Sequence, residues 1–149
     1  MTRLRISTRG RYGLRALVDM ALNNPTEVTT LRSIAENQSI SESYLEQVFT
    51  SLRKAGLVIA IRGAQGGYKL ARPADRITVA EILKSLEGPL APVHCVGMDS
   101  VQQCDREDSC VTRPFWEDLN KVINDFLENT SLQDLVDRAG QAVAVPQKR

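Results

Sequence analysis

Residues 41–71 read SESYLEQVFTSLRKAGLVIAIRGAQGGYKLA, and the reading of that stretch decides the fold. Ser41 stands as a helix N-cap, because a short hydroxyl side chain can accept a hydrogen bond from an otherwise orphaned backbone N–H of the first turn. Glu42 adds an acid where the positive end of the helix dipole favours one. Leu45, Val48, Phe49 and Leu52 follow at i, i+3, i+4, i+7, a single apolar stripe, and Ala55-Gly56 closes the helix. The pattern then changes period. Leu57 to Ile61 is apolar and largely β-branched, Arg62-Gly-Ala-Gln-Gly-Gly67 is turn chemistry, and Tyr68 to Ala71 returns as a second strand.

Working outward on the N-terminal side, Leu31, Ile34 and Ala35 predict a short helix from Thr30 to Asn37, capped by Thr29 or Thr30. Leu14, Leu17, Val18, Ala21 and Leu22 predict another from Thr8 to Asn23, ended by Asn23, Asn24 and Pro25. Two short helices joined by a polar turn, the second presenting Ser43, Tyr44, Glu46 and Gln47 outward and leading into a glycine-tipped hairpin, have the form of a winged helix-turn-helix. Such a hairpin tip, with Arg62 beside it, brings backbone amides and a guanidinium close to a phosphate or a minor groove. The glycines match no P-loop or dinucleotide fingerprint, and no helix follows them directly.

On the C-terminal side Thr78 caps a helix carrying Val79, Ile82, Leu83 and Leu86, which Gly88-Pro89 ends. A connection of roughly 25 residues follows, longer than structureless connections normally are in compact domains. The next helix starts near Pro114, and its Phe115, Leu119, Val122 and Phe126 form a coiled-coil-like seam widened by Trp116, Ile123 and Leu127. One face suits its own domain and the other a second copy. Leu132, Leu135 and Val136 suggest one more short helix, and the tail from Gly140 is expected to be disordered. The fold class is therefore mainly α with a small β-wing.

Charge is divided unevenly along the chain. Residues 1–72 hold 11 Lys/Arg against 5 Asp/Glu, and residues 73–149 hold 8 against 13, although the formal net charge is only +1. Arg3, Arg5, Arg9, Arg11 and Arg15 all precede the first acid, Asp19. A polyanion is attracted to the first half and repelled by the second. The apolar run after these arginines is broken by Arg15 and Asp19, so it reads neither as a signal peptide nor as a membrane span, and a cytoplasmic protein is expected. A lone histidine and the absence of a Ser/His/Asp arrangement argue against an enzyme.

Cys95, Cys104 and Cys110 lie in the long connection, separated by eight and five residues within a polar stretch. Three thiols cannot pair off internally. Three thiolates within reach of one another suit a soft metal, zinc or an iron-sulfur cluster, with a fourth ligand to be supplied; reactive redox thiols are the alternative. His94, the only imidazole, is the natural candidate for that fourth ligand, although adjacent residues rarely point at the same ion.

The strings RISTRGRYGLRALVDMAL (5–22), ISESYLEQVFTSLRKAGLV (40–58), IRGAQGGYKLARP (61–73) and TVAEILKSLEG (78–88), followed by the three cysteines and Phe115-Trp116, resemble the IscR/NsrR/CymR family of winged-helix transcription regulators over about Arg5 to Asp137. The cysteine connection points within that family to IscR-like members that bind an iron-sulfur cluster, 2Fe-2S rather than 4Fe-4S. The resemblance implies a homodimer on a double-stranded DNA operator, served by iron-sulfur assembly proteins. Residues 1–88 form the DNA-binding domain, 89–112 the cluster-binding connection, 113–139 the dimerisation helix with a short C-terminal helix, and 140–149 the tail. Carried over by position, Thr8, Arg9, Arg11 and Tyr12 hold the phosphate backbone, Ser41, Ser43, Tyr44, Glu46 and Gln47 fall on the recognition helix, and Arg62, Gly63, Gln65 and Gly66 fall at the wing. Three positions depart from the relatives. Arg113 stands where IscR-like proteins place a histidine ligand, the first cysteine spacing is longer than theirs, and Arg11 stands where some NsrR-like proteins place a carboxylate. The same scaffold without a cluster would be a thiol-redox or partner-sensing repressor, as CymR-like relatives are.

Overall fold

The computed structural model describes residues 6–92, 96 and 109–144. Six helices and one hairpin follow in order: α1 (Thr8–Asn23), α2 (Leu31–Gln38), α3 (Glu42–Lys54), β1 (Val58–Ile61), β2 (Gly67–Leu70), α4 (Val79–Glu87), α5 (Arg113–Glu128) and α6 (Leu132–Ala144). The starts of α1 to α4 are set by side-chain caps. Ser7, Thr30, Ser41 and Thr78 each accept from a backbone N–H of the first turn that would otherwise be unpaired. At α4 the cap is reciprocal, since Glu81 bonds back to the Thr78 N–H at 2.9 Å.

The buried faces of α1, α2, α3 and α4 meet in one core through Leu17, Met20, Ile34, Leu45, Phe49, Leu52, Ile82 and Leu86. The turn between α2 and α3 is tight. Ser39 takes the left-handed conformation (φ 55°) and the N–H of Ile40 bonds to the Ala35 carbonyl at 3.2 Å, which lets Ile40 turn inward. The hairpin is antiparallel, Val58 opposite Leu70 and Ile61 opposite Gly67. Thr29 adds a single bridge on its other edge, exchanging two 2.8 Å bonds with Tyr68, so the wing is tied to the segment that enters α2.

Beyond α4, α5 packs against α4 and α6 packs against α1. The start of α6 is pinned by two backbone bonds of 2.8 Å, Val79 N–H to the Thr130 carbonyl and Leu132 N–H to the Ile77 carbonyl, and by Leu132, which is fully buried. In α5 no residue is fully buried; Phe115, Val122 and Phe126 are 60%, 64% and 59% exposed. Trp116, Leu119, Ile123 and Leu127 are half-buried.

Two expectations change. The last helix is not short, and it does not stop at Gly140 but runs on to Ala144. A single glycine inside a helix costs only about 1 kcal/mol relative to alanine, and the alanine-rich continuation Gln141-Ala-Val-Ala144 is a good helix former. The preceding helix starts at Arg113 with Pro114 in its first turn, as expected. No helix among the described residues is long and apolar enough to cross a membrane.

Candidate nucleic-acid interface

Helix α3 carries two faces with different fates. Its inner face holds Leu45, Val48, Phe49 and Leu52, all buried. Its outer face holds Ser43, Glu46, Gln47, Arg53 and Lys54, all exposed, with Thr50 half-exposed among them. The Thr50 hydroxyl donates to the Glu46 carbonyl at 2.7 Å and leaves the Glu46 carboxylate outward. Ser41 accepts from the Tyr44 N–H at 3.1 Å, so Ser41 sets the start of α3.

Two neighbours fix α3 from opposite sides. On one side the Tyr12 and Tyr44 rings meet edge to face at 5.9 Å, and Arg9 donates through Nη2 to the Ser51 hydroxyl. On the other, the Phe49 ring meets Tyr68 of β2 at 5.0 Å. The first turn of α1, the outer face of α3 and the wing are thereby held as one surface. Thr8 and Arg11 are exposed, and the Arg11 guanidinium lies 5.9 Å from the centre of the Tyr12 ring. Arg9 is half-buried, and its Nε is buried with no hydrogen-bond partner among the described residues. At the wing Arg62, Gly63, Ala64 and Gln65 are exposed, and the Gly66 N–H closes the tip on the Gly63 carbonyl at 3.0 Å. Gly63 has φ +110°, which an L side chain rarely adopts, so the tip needs glycine there.

Asp19 was not legible as a structural residue. It is 6% exposed, and its carboxylate accepts from the side-chain amides of Asn23, Asn37 and Gln38 at 3.0–3.3 Å. Arg15 reaches the Gln38 carbonyl at 2.7 Å. The end of α2, and with it the turn that aims α3, is thus hydrogen-bonded to α1. Asn37 and Gln38 are 18 and 19 residues from Asp19 in sequence, which no local pattern reveals. Ser7 was likewise missed, although a serine just before an apolar-periodic run is an ordinary N-cap signal.

Of the expected metal ligands, Cys95, Cys104 and His94 lie outside the described residues. Cys110 is described and half-buried, just before α5. Its thiol is held below the usual value by the Thr112 hydroxyl, 3.4 Å from Sγ, and by the Thr112 and Arg113 N–H groups, all of which favour the thiolate. A soft metal ligand needs that form, so Cys110 fits such a role. Among the described residues no group of three or more His, Cys, Asp and Glu is arranged for a metal ion. Arg113 is engaged with Glu117 at 2.9 Å along α5.

The profile of the Rrf2 family, described as an iron-dependent transcriptional regulator, matches residues 6–138. A helix-turn-helix transcriptional regulator of Neisseria meningitidis serogroup A is 43% identical over 135 residues, which cover 91% of this chain and 89% of that protein. The structure of IscR from T. potens superposes with a TM-score of 0.75 at 40% identity, covering 97% of this chain and 93% of that one. The structure of CymR, the global cysteine regulator of B. subtilis, superposes with a TM-score of 0.77 at 39% identity, covering 90% and 97%. These relatives are transcription regulators, not enzymes.

Proposed function

Because this chain belongs to the Rrf2 family of DNA-binding transcription regulators, we propose that it works as a cytoplasmic homodimer that reads a double-stranded operator and senses iron-sulfur cluster status through Cys95, Cys104 and Cys110. The observation that carries the DNA reading is the junction of three elements on one surface, with α3 fixed between Tyr12 of α1 and Tyr68 of β2 and its polar face left outward. Glu46 accepts from a cytosine amine and Gln47 pairs with an adenine edge. Thr8, Arg9, Arg11 and Tyr12 contact the phosphate backbone and make affinity salt-dependent, and Arg62, Gly63, Gln65 and Gly66 touch the flanking groove. Sharing one operator between two copies requires a dimer, for which the outward face of α5 supplies an apolar strip.

The three cysteines hold the cluster as thiolates, the form that the surroundings of Cys110 favour. Bound there, a 2Fe-2S group supplies metal–sulfur bonds sensitive to oxidants and to iron supply. Arg113, in place of the histidine of IscR-like proteins, cannot lose its charge to become a ligand and is already paired with Glu117. The fourth ligand therefore comes from elsewhere in the chain, from the partner or from solvent. The effect on DNA follows from where the cysteine connection ends. Cys110 is three residues from the first turn of α5, so a change at the thiolates biases the dimer helix and the separation of the two reading heads.

The test is an anaerobic purification followed by an absorption spectrum, an iron and sulfide assay and an operator titration. A coloured protein with matched iron and sulfide supports cluster sensing. A colourless protein that still binds the operator refutes it. It favours a second reading, in which the thiols are sensed directly or a partner enzyme of sulfur metabolism reports through the dimer, consistent with the lowered Cys110 thiol and the likeness to a cysteine regulator.

A further inference from the structure

Glu87 is the last residue of α4 and the last before the Gly88-Pro89 step that leads out to the cysteine connection. Its side chain reaches across to another element. Oε1 accepts from the backbone N–H of Ser7 at 2.6 Å and from the Ser7 hydroxyl at 2.5 Å. Ser7 is the N-cap of α1, and its own Oγ accepts from the Gly10 N–H at 3.3 Å. Gly10 is buried, and a Cβ there would collide with the Glu87 carboxyl group. The missing side chain is what lets the carboxylate lie flush against the first turn. A carboxylate at that place also faces the positive end of the α1 dipole. On the other side of Glu87, Gly88 has φ +79° with its N–H on the Lys84 carbonyl at 3.0 Å, so the chain leaves α4 in one set direction.

One carboxylate thus joins the turn that carries Thr8, Arg9 and Arg11 to the point where the cysteine connection departs. We infer that Glu87 is a positioning residue, setting the first turn of α1 for contact with the DNA backbone. The DNA half of this rests on the reading that Thr8, Arg9 and Arg11 lie on phosphates. The mechanical half does not. Both bonds share Oε1, so any displacement of the carboxylate breaks them together. Deeper in α1 the Tyr12 ring stays packed against Tyr44, so the disturbance is confined to the leading turn.

The experiment measures backbone amide exchange in the full-length protein together with operator titration across a salt series, for wild type, Glu87→Ala, Glu87→Gln and Arg11→Ala. In Glu87→Ala, exchange at the amides of Ser7, Gly10 and Arg11, which the cap pairs, should quicken about tenfold and operator affinity should fall by about the same factor, with protection in α3 unchanged, as expected for loss of two charge-assisted bonds. Glu87→Gln keeps an acceptor oxygen and should recover most of both. Unchanged exchange in Glu87→Ala overturns the inference. If instead Arg11→Ala leaves both affinity and salt slope unaltered, the phosphate reading fails by itself and the DNA half falls with it, while the exchange data still decide whether Glu87 holds the turn.

Discussion

At the level of single residues, α3 separates the side chains proposed to read DNA from those that hold the helix. Ser43, Glu46 and Gln47 face outward, while Ser41 and Tyr44 start the helix and brace it, so substitutions at the two sets have different consequences. Glu46→Ala removes a carboxylate that no other side chain among the described residues engages, and the fold should be untouched. It should redistribute preference among operators by about 1–3 kcal/mol at one base pair. The check is a binding selection on a randomised site library; unchanged relative affinities would remove Glu46 from readout. Ser43, Glu46 and Gln47 were legible as outward because the apolar stripe of a helix defines its polar complement, whereas Tyr44, expected among them, is half-buried and packs against Tyr12 and the core. Arg9 was legible only as a charge. Its half-buried bond to Ser51 depends on how closely α1 approaches α3, which periodicity does not encode. Asp19 shows the same limit, since an acid flanked by Val18 and Met20 reads as solvated until the amides of α2 are placed around it.

At the level of elements, boundaries were legible where a capping side chain or a Gly-Pro step marks them, as at Ser41, Thr78 and Gly88. The far end of α6 was not, because a glycine followed by good helix formers leaves the outcome to packing. The start of α4 carries a prediction in pH. Burial raises the Glu81 carboxyl, but the Thr78 N–H, the Arg72 guanidinium at 3.0 Å and the Thr78 hydroxyl outweigh it and leave it below the ordinary value. A carboxyl lowered on folding contributes stability that is complete above the ordinary glutamate range and is lost as pH falls through the lowered value. Glu81→Ala should therefore cost about 1 kcal/mol near neutrality, the usual scale of a cap, lowering Tm by about 2–4 °C. The difference from wild type should shrink toward zero in acid. Paired thermal melts from neutral pH into acid decide it, and a difference that persists unchanged would mean the loss is of packing and not of the charged cap.

For the whole molecule, the proposed division of tasks follows the charge, with the basic half holding the proposed reading surface and the acidic half holding α5 and α6. The seam on α5 was legible as apolar, but which of its residues face the chain's own domain was not. The pattern that packs a helix on its own core also packs it on a partner. The structure divides them: Trp116, Leu119, Ile123 and Leu127 turn toward the body, whereas Phe115, Val122 and Phe126 stand in solvent. If a second copy covers that strip, Phe126 is the residue to alter, because its substitution leaves the domain core intact. Removing each phenylalanine from an interface costs about 1.5–3 kcal/mol, so a symmetric dimer loses about twice that, or roughly 100-fold to 10,000-fold in dissociation constant. Phe126→Glu adds the repulsion of two carboxylates brought together. Sedimentation should show this variant shifting from dimer to monomer at micromolar concentration, with the far-ultraviolet circular dichroism of the wild type preserved. Operator affinity should fall sharply, and the concentration dependence of binding should change from that of a preformed dimer to that of two separately recruited copies. A variant that stays dimeric with unaltered affinity would mean that the exposed strip serves another partner and that the two reading heads are joined through a different face.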